Sequence, residues 1–207
     1  MFLDRNDAAN RLAAQLKKFQ GTHPLILGIP RGAVPMARVI AGALGGEFDV
    51  VLVRKLRAPH QPELAIGSVN ESGWTYLSGD AALYGGTRNY LAQEKRAQLA
   101  TLRQRRAQYT PARAPIDPQE RVVIVVDDGL ATGATMIAAL HSVRACKPAK
   151  LICAVPVSPP DTLAKVQDLA DEVVCLETPD DFQAVGQFYQ HFPQVDDAQV
   201  MAMLKPP

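Results

Sequence analysis

Cysteine is scarce: Cys146, Cys153 and Cys175 are the only three, with no CxxC spacing and an odd count that cannot pair fully within one chain. A disulfide scaffold is excluded, and a reducing cytoplasmic compartment is expected. No apolar run approaches the roughly 18 residues that a membrane-spanning helix needs. The opening MFLDRNDAANRL carries acids and a helical pattern where a secretory leader requires a basic start and an apolar stretch, so no membrane association is expected. The four histidines, His23, His60, His141 and His191, are scattered, with no i,i+4 pair to seat a metal. Net charge is almost nil: 22 Lys and Arg stand against 21 Asp and Glu, a formal sum of +1. That balance makes nucleic acid an unexpected partner, since its phosphate backbone selects strongly basic surfaces. Fourteen Gly and sixteen Pro are too few for a collagenous or low-complexity chain. What remains is a chain of 207 residues, 47% hydrophobic, long enough for one substantial domain over 1–207 with its own core.

The apolar residues are organised by period. Ala9, Leu12, Leu16 and Phe19 recur at helical spacing over 4–20, with Asp4 as the N-cap. Short apolar runs then follow at 25–29, 49–53, 122–126, 151–155 and 173–176, each bounded by turn residues. Continuous rather than alternating runs indicate strands covered on both faces, the habit of parallel sheets. Helical patterns over 33–44, 133–146 and 160–170 lie between them, which predicts right-handed crossovers and a doubly wound α/β fold of about five parallel strands. Two stretches break the alternation. Residues 56–86 contain ELAIGSV and GWTYL around Asn70, Glu71 and Ser72, which reads as a β-hairpin bearing an exposed Trp74. A long polar helix over 87–109 follows, so an insert of about 56–110 is expected outside the sheet. The segment 179–207, with Phe182, Val185, Phe188, Tyr189 and Phe192 in a short helical pattern, is expected to form a small cap rather than core.

Chemistry concentrates in VVIVVDDGLATGATM, residues 122–136. An apolar strand delivers Asp127 and Asp128 to its carboxyl end, where ligands bind in open α/β sheets. Small residues then lead into a helix at Thr132-Gly133-Ala134-Thr135, leaving unpaired amides at the positive end of the dipole, a setting suited to phosphate. No lysine follows Gly133, as a P-loop requires, and no strand is followed by GxGxxG. Carboxylates repel phosphate, so the two acids must serve another part of the ligand, most simply the vicinal hydroxyls of a ribose 5-phosphate unit.

These residues resemble the phosphoribosyl pyrophosphate (PRPP) signature of type I phosphoribosyltransferases, with one departure: Gly129 stands where an apolar residue is usual. The resemblance implies Asp127 and Asp128 on the ribose hydroxyls and Ala131, Thr132, Gly133, Ala134 and Thr135 around the 5-phosphate. LGIPRGAVPMA, residues 27–37, is similar to the family's pyrophosphate loop, which implies Pro30, Arg31 and Gly32 on that anion and a cis peptide at Pro30–Arg31. VVLVRKLRAPHQPE, residues 50–63, is similar to the strand end and mobile loop that clamp pyrophosphate, with Arg54 and Lys55 favoured over Arg57 and His60 because cations at a strand's carboxyl end face the crevice. The insert then stands where the family carries a flexible lid. VRKL, PELAIG, VDDGLATGAT and CLETPDDFQAVGQFY together look most like an uncharacterised bacterial branch of the family.

The implied reaction is displacement of pyrophosphate from C1 of PRPP by a nitrogen nucleophile, a nucleobase or related amine of nucleotide metabolism. Asp127, Asp128, Arg54 and Lys55 are its expected catalytic residues. Mg²⁺ is implied as cofactor, held mainly by the substrate's own oxygens, with Asp127 and Asp128 as the protein carboxylates able to touch it. Hypoxanthine-guanine enzymes place an aspartate where Ala131 stands, which disfavours a 6-oxopurine handled that way. Phe182, Phe188 and Tyr189 are the candidates for stacking on an acceptor base, and an apolar core that pins the tail is the competing reading of the same rings. Two rivals come from other classes. The basic stretch Lys95, Arg96, Arg103, Arg105 and Arg106 could bind RNA in a PRPP-sensing regulator. The hairpin with Trp74 could act as a non-catalytic contact in a homodimer.

Overall fold

A computed structural model describes residues 1–111 and 114–205, apart from the side chain of Glu63; the last two residues of the expected 179–207 segment lie outside the described residues. The chain starts with α1 (Arg5–Gln15), capped by Asp4, whose Oδ1 accepts from the Asp7 amide at 2.9 Å. Its small Ala8 and Ala9 let the helix lie close on α2 (Val34–Leu44). Five parallel strands follow in the expected places: β1 (Leu25–Gly28), β2 (Glu47–Val50), β6 (Val122–Val126), β7 (Lys150–Val157) and β8 (Glu172–Glu177), in the spatial order β2-β1-β6-β7-β8.

The inner strands β1, β6 and β7 are apolar on both faces because each face has its own cover; edge strand β2 carries Glu47 and Asp49. Ile26, Ile124, Val126 and Ile152 point to α1 and α2, whereas Leu25, Val123, Val125 and Leu151 point to α4 (Ala134–Ala145) and α5 (Pro160–Gln167). At about 25 cal/mol per Å² of apolar surface removed from water, burial on both sides makes this sheet the main source of stability. From β1 the chain crosses outward to β2, and from β6 it crosses the other way to β7 and β8. The order therefore reverses between β1 and β6, so their carboxyl ends open one crevice. Gly28 pairs with Val126 across that boundary, and the Ile29 amide donates to the Val126 carbonyl at 3.0 Å.

The run 49–53 is not one strand. The Val51 amide still donates to Gly28 at 3.2 Å, but from Val53 the chain forms β3 (Val53–Ala58), paired antiparallel with β4 (Gln61–Asn70), and β5 (Thr75–Leu77) completes a second, three-stranded sheet. An apolar run says that a segment is buried, not which ladder it joins, so the insert starts three residues earlier than expected. The hairpin lies outside the parallel sheet, as predicted, but docks on α4. Tyr76 stacks on His141 at 4.0 Å, Asn70 Nδ2 donates to Ser142 Oγ at 2.8 Å, and Trp74, expected to be exposed, is half-buried beside the same His141.

Helix α3 (Arg88–Tyr109) spans the second sheet and buries Leu102 and Tyr109. Its basic row is not one solvated face: Arg96 and Arg103 are exposed, but Arg106 turns inward, with Nη1 3.0 Å from the buried Asp49 and Nη2 2.6 Å from Glu71. Glu71 and Asp49 hold the guanidinium pKa above its ordinary value although burial pulls it down. Replacing Arg106 with leucine should cost about 3 kcal/mol in urea denaturation, because Asp49 would lose a compensating charge inside the protein.

The C-terminal segment, expected as a small cap, is joined to the main core through one buried ring. The Phe2 amide donates to the Phe188 carbonyl at 2.7 Å and the Gln190 amide donates to the Phe2 carbonyl at 2.9 Å, so Phe2 and Tyr189 pair as a short parallel bridge. Tyr189, 6% exposed, enters the cluster of Phe2, Leu12 and Ile26, and α6 (Asp197–Leu204) packs on α2 and α3. Aromatic periodicity alone could not separate a lid from a core, and here the core claims the ring.

Candidate active site

The crevice between β1 and β6 is walled by two loops. On the β6 side, Asp127 and residues 129–136 line a cavity of about 150 Å³. Gly133 caps α4 with φ +74°, and the first amides of that helix have no intrahelical acceptor, which suits a helix start to an anion; the Ala134 amide donates to Thr132 Oγ1 at 3.5 Å. The loop is held from behind: Thr162 Oγ1 donates to the Ala131 carbonyl at 2.8 Å, and a Cβ on Gly133 would meet Thr162 Cγ2 at 2.8 Å. Gly129, the departure from the family pattern, has a cause in this chain. A Cβ there would stand 2.6 Å from Val185 Cγ1, so the C-terminal segment occupies the space an apolar side chain would need.

The two acids have different surroundings. Asp127 Oδ1 accepts from the Asp128 amide at 2.9 Å. Burial pushes its carboxyl well above the usual range, and the neighbouring Asp128 charge adds to that. Burial also raises Asp128, but the Arg5 guanidinium opposes the rise, with Nε and Nη2 donating to Oδ2 at 3.0 and 2.8 Å. Tyr189 Oη donates to the Asp128 carbonyl at 2.7 Å, and burial raises the phenol pKa. A Tyr189→Phe variant should lose about 1 kcal/mol in thermal or urea unfolding, the net worth of one such bond.

On the β1 side, Pro30–Arg31 is a cis peptide, as the motif implies. Gly32 lies against the opposite loop, where a Cβ would come 1.9 Å from Asp128 Oδ2. The Pro30–Gly32 backbone and the Asp128 side chain thus approach as closely as a glycine permits. Arg31 is exposed and reaches Asp197 of α6 at 3.7 Å, a loose pair that a stronger anion can replace.

The remaining expected residues are not all gathered here. Arg54 and Lys55 lie on β3 of the second sheet, not at the end of a parallel strand. The Arg54 guanidinium donates to Gln98 of α3, burial lowers its pKa, and Lys55 is exposed. His60 is exposed in the turn between β3 and β4. Phe182 and Phe188 stack on each other at 5.4 Å, half-buried against the main core. Arg5 is the functional neighbour that motif reading missed. Its signal was available: a cation in the first turn of a helix opposes the dipole and calls for another reason to be there.

The strand order reverses beside the central strand β6, whose carboxyl end carries two acids and a small-residue loop that opens a helix, the arrangement of a doubly wound α/β fold. The chain belongs to the phosphoribosyl transferase domain family, whose model matches residues 3–192. It is 42% identical over 206 residues to the "Putative phosphoribosyl transferase Rv0571c" of Mycobacterium tuberculosis (strain ATCC 25618 / H37Rv), and equally to its counterpart in strain CDC 1551 / Oshkosh. The match covers 99% of this chain and 46% of each relative, so the chain spans about half the length of the curated relatives it matches. The crystal structure of TT1426 from Thermus thermophilus superposes with a TM-score of 0.90 at 43% identity, covering 98% of this chain and 97% of that one. Among the described residues no helix is long and apolar enough to cross a membrane.

Proposed function

We propose that this protein transfers the 5-phosphoribosyl group of PRPP to a nitrogen nucleophile and releases pyrophosphate. The reading rests chiefly on one observation: Asp127, Asp128, the Ala131–Thr135 loop and Gly32 converge where the strand order reverses. The 5-phosphate sits on the amides of Ala131, Thr132, Gly133, Ala134 and Thr135. The ribose hydroxyls donate to Asp127 and Asp128, and the Pro30–Gly32 backbone and Arg31 receive the pyrophosphate. The bond from C1 to pyrophosphate breaks as nitrogen attacks C1, and the nitrogen's proton leaves. Positive charge on the ring in the transition state is met by the two carboxylates. Lys55, exposed, and Arg54, once released from Gln98, are the cations proposed for the leaving group.

The donor set fits a Mg²⁺ carried in with the substrate. Adjacent carboxylates supply hard oxygens, and among the described residues no group of three acidic, His or Cys side chains forms a protein-only metal site. When bound, the ion neutralises pyrophosphate. Ala131 before Thr132-Gly133 argues against a 6-oxopurine acceptor assisted from that position. The free Cys146, Cys153 and Cys175 suit a reducing cytoplasm.

The test is a panel of nucleobases and small amines incubated with PRPP and Mg²⁺ and scored for pyrophosphate release. Release with one class of acceptor supports the reading and names the substrate. A second reading, a PRPP sensor that binds RNA without turnover, is favoured only by the exposed Arg96 and Arg103 on α3. It requires silence across the panel together with PRPP-dependent retention of RNA on filters. Self-association through the insert, where Leu77 of β5 and Leu83 and Tyr84 just after it are exposed, is tested by light scattering.

A further inference from the structure

Arg5 belongs to none of the motifs, yet it stands where three parts of the site meet. It begins α1, where its charge weakens rather than supports the helix dipole. Its side chain folds back to a partner 123 residues away and keeps only 11% of its surface exposed. Two donors, Nε and Nη2, converge on the single oxygen Oδ2 of Asp128 at 3.0 and 2.8 Å, so Oδ1 is not engaged by the guanidinium. Nη1 donates to the Pro193 carbonyl at 2.6 Å, and the guanidinium carbon lies 3.8 Å over the Phe192 ring. On the remaining side is the pyrophosphate loop: a Cβ on Gly32 would meet Arg5 Nη2 at 3.3 Å. One rigid planar group thus ties an acid, a loop and the C-terminal segment into fixed relative positions.

We propose that Arg5 is the positioning residue for ribose recognition: it holds Oδ2 of Asp128 so that Oδ1 is presented to a ribose hydroxyl. This rests on the reading of Asp128 as a ribose acid. A carboxylate free to rotate presents either oxygen and loses orientational entropy on binding, whereas one pinned at a single oxygen by two charge-assisted bonds is set in advance. Lysine keeps the charge but has no fork, so it cannot deliver two converging donors from a fixed plane. The Pro193 and Phe192 contacts hold the guanidinium in turn, which couples the sugar end of the site to the C-terminal segment.

The experiment compares ribose 5-phosphate with 2-deoxyribose 5-phosphate by calorimetric titration of the full chain, in the wild type and the Arg5→Lys and Arg5→Gln variants. The ratio of the two affinities reports diol recognition and cancels effects common to both ligands. The wild type should prefer ribose 5-phosphate about tenfold or more, the worth of one hydrogen bond to a charged group. The preference should fall to about threefold in Arg5→Lys and close to unity in Arg5→Gln, with binding of 2-deoxyribose 5-phosphate little changed. A role confined to stability would lower the melting temperature and leave the ratio intact, which would overturn the proposal. If Arg5→Gln does not fold, the Arg5→Lys ratio decides, and a wild-type value there counts against the proposal. If the wild type itself shows no preference, the ribose reading of Asp128 fails first, and the Arg5 proposal falls with it. An intact wild-type preference with unchanged variants refutes the Arg5 proposal alone.

Discussion

Replacing Asp127 with asparagine is expected to weaken PRPP binding by about ten- to a hundredfold while leaving the protein as stable as before or more so. The two effects have one cause. Asp127 is a buried carboxyl whose pKa is pushed well up by desolvation and by Asp128, so in the unliganded protein its negative charge works against folding. Its contribution to stability is therefore best below about pH 4, where the group is protonated in folded and unfolded chains alike, and is lost as the pH rises. Asparagine removes that penalty, but it also removes the charged acceptor that a ribose hydroxyl would use, worth about 1.5–3 kcal/mol per bond. Asp128→Asn should behave differently. PRPP binding falls by a similar factor, but stability falls too, by about 2 kcal/mol, because the partly buried Arg5 loses its counter-charge. Paired PRPP titrations and urea melts of the two variants check this. Two variants that bind PRPP like the wild type would contradict the roles given to both acids.

Gly32→Ala is the second change with a large expected effect, and it adds a single methyl group. The new Cβ would lie 1.9 Å from Asp128 Oδ2 and 2.8 Å from its Cγ, inside van der Waals contact, and both atoms belong to a side chain already fixed by Arg5. Either the carboxylate rotates away from Arg5 or the Pro30–Gly32 loop withdraws from the crevice. Overpacking of this kind costs about 1–3 kcal/mol of stability. Displacing a positioned group by about 1 Å costs roughly a hundredfold in rate. We expect pyrophosphate release to drop by about that factor with the fold retained by circular dichroism. A Gly42→Ala control, where nothing lies within 4 Å of an added Cβ, should be silent.

The parallel sheet was legible because its inner strands are apolar on both faces, and a continuous run such as VVIVV admits few other readings. The two acids and the small-residue loop were legible as a candidate site because they are contiguous in sequence, on one strand–loop–helix unit. What the sequence hid is of a different kind. Val51 and Val53 read as one strand, since periodicity carries no information about which partner a strand pairs with; the break moved Arg54 and Lys55 onto a second sheet. Arg106 read as one more surface cation because its partner Asp49 lies 57 residues away. Tyr189 read as a candidate acceptor contact until Phe2 and Leu12 claimed it. Arg5 was invisible as a site residue for the same reason as Arg106: its meaning lies in a contact across the fold, and only its awkward place at a helix start hinted at it. The glycine at 129 shows the converse. A departure from the family pattern is explained by Val185, a residue of the C-terminal segment far from Gly129 in sequence.

The central claim is that the crevice between β1 and β6 binds PRPP through its ribose, its 5-phosphate and its pyrophosphate together. Calorimetric titration of PRPP into the full chain with Mg²⁺ tests it most directly. The account predicts saturable one-to-one binding, competed by ribose 5-phosphate and by pyrophosphate separately and weakened about tenfold or more in Asp127→Asn. An absence of binding, or binding that survives that substitution unchanged, would contradict it.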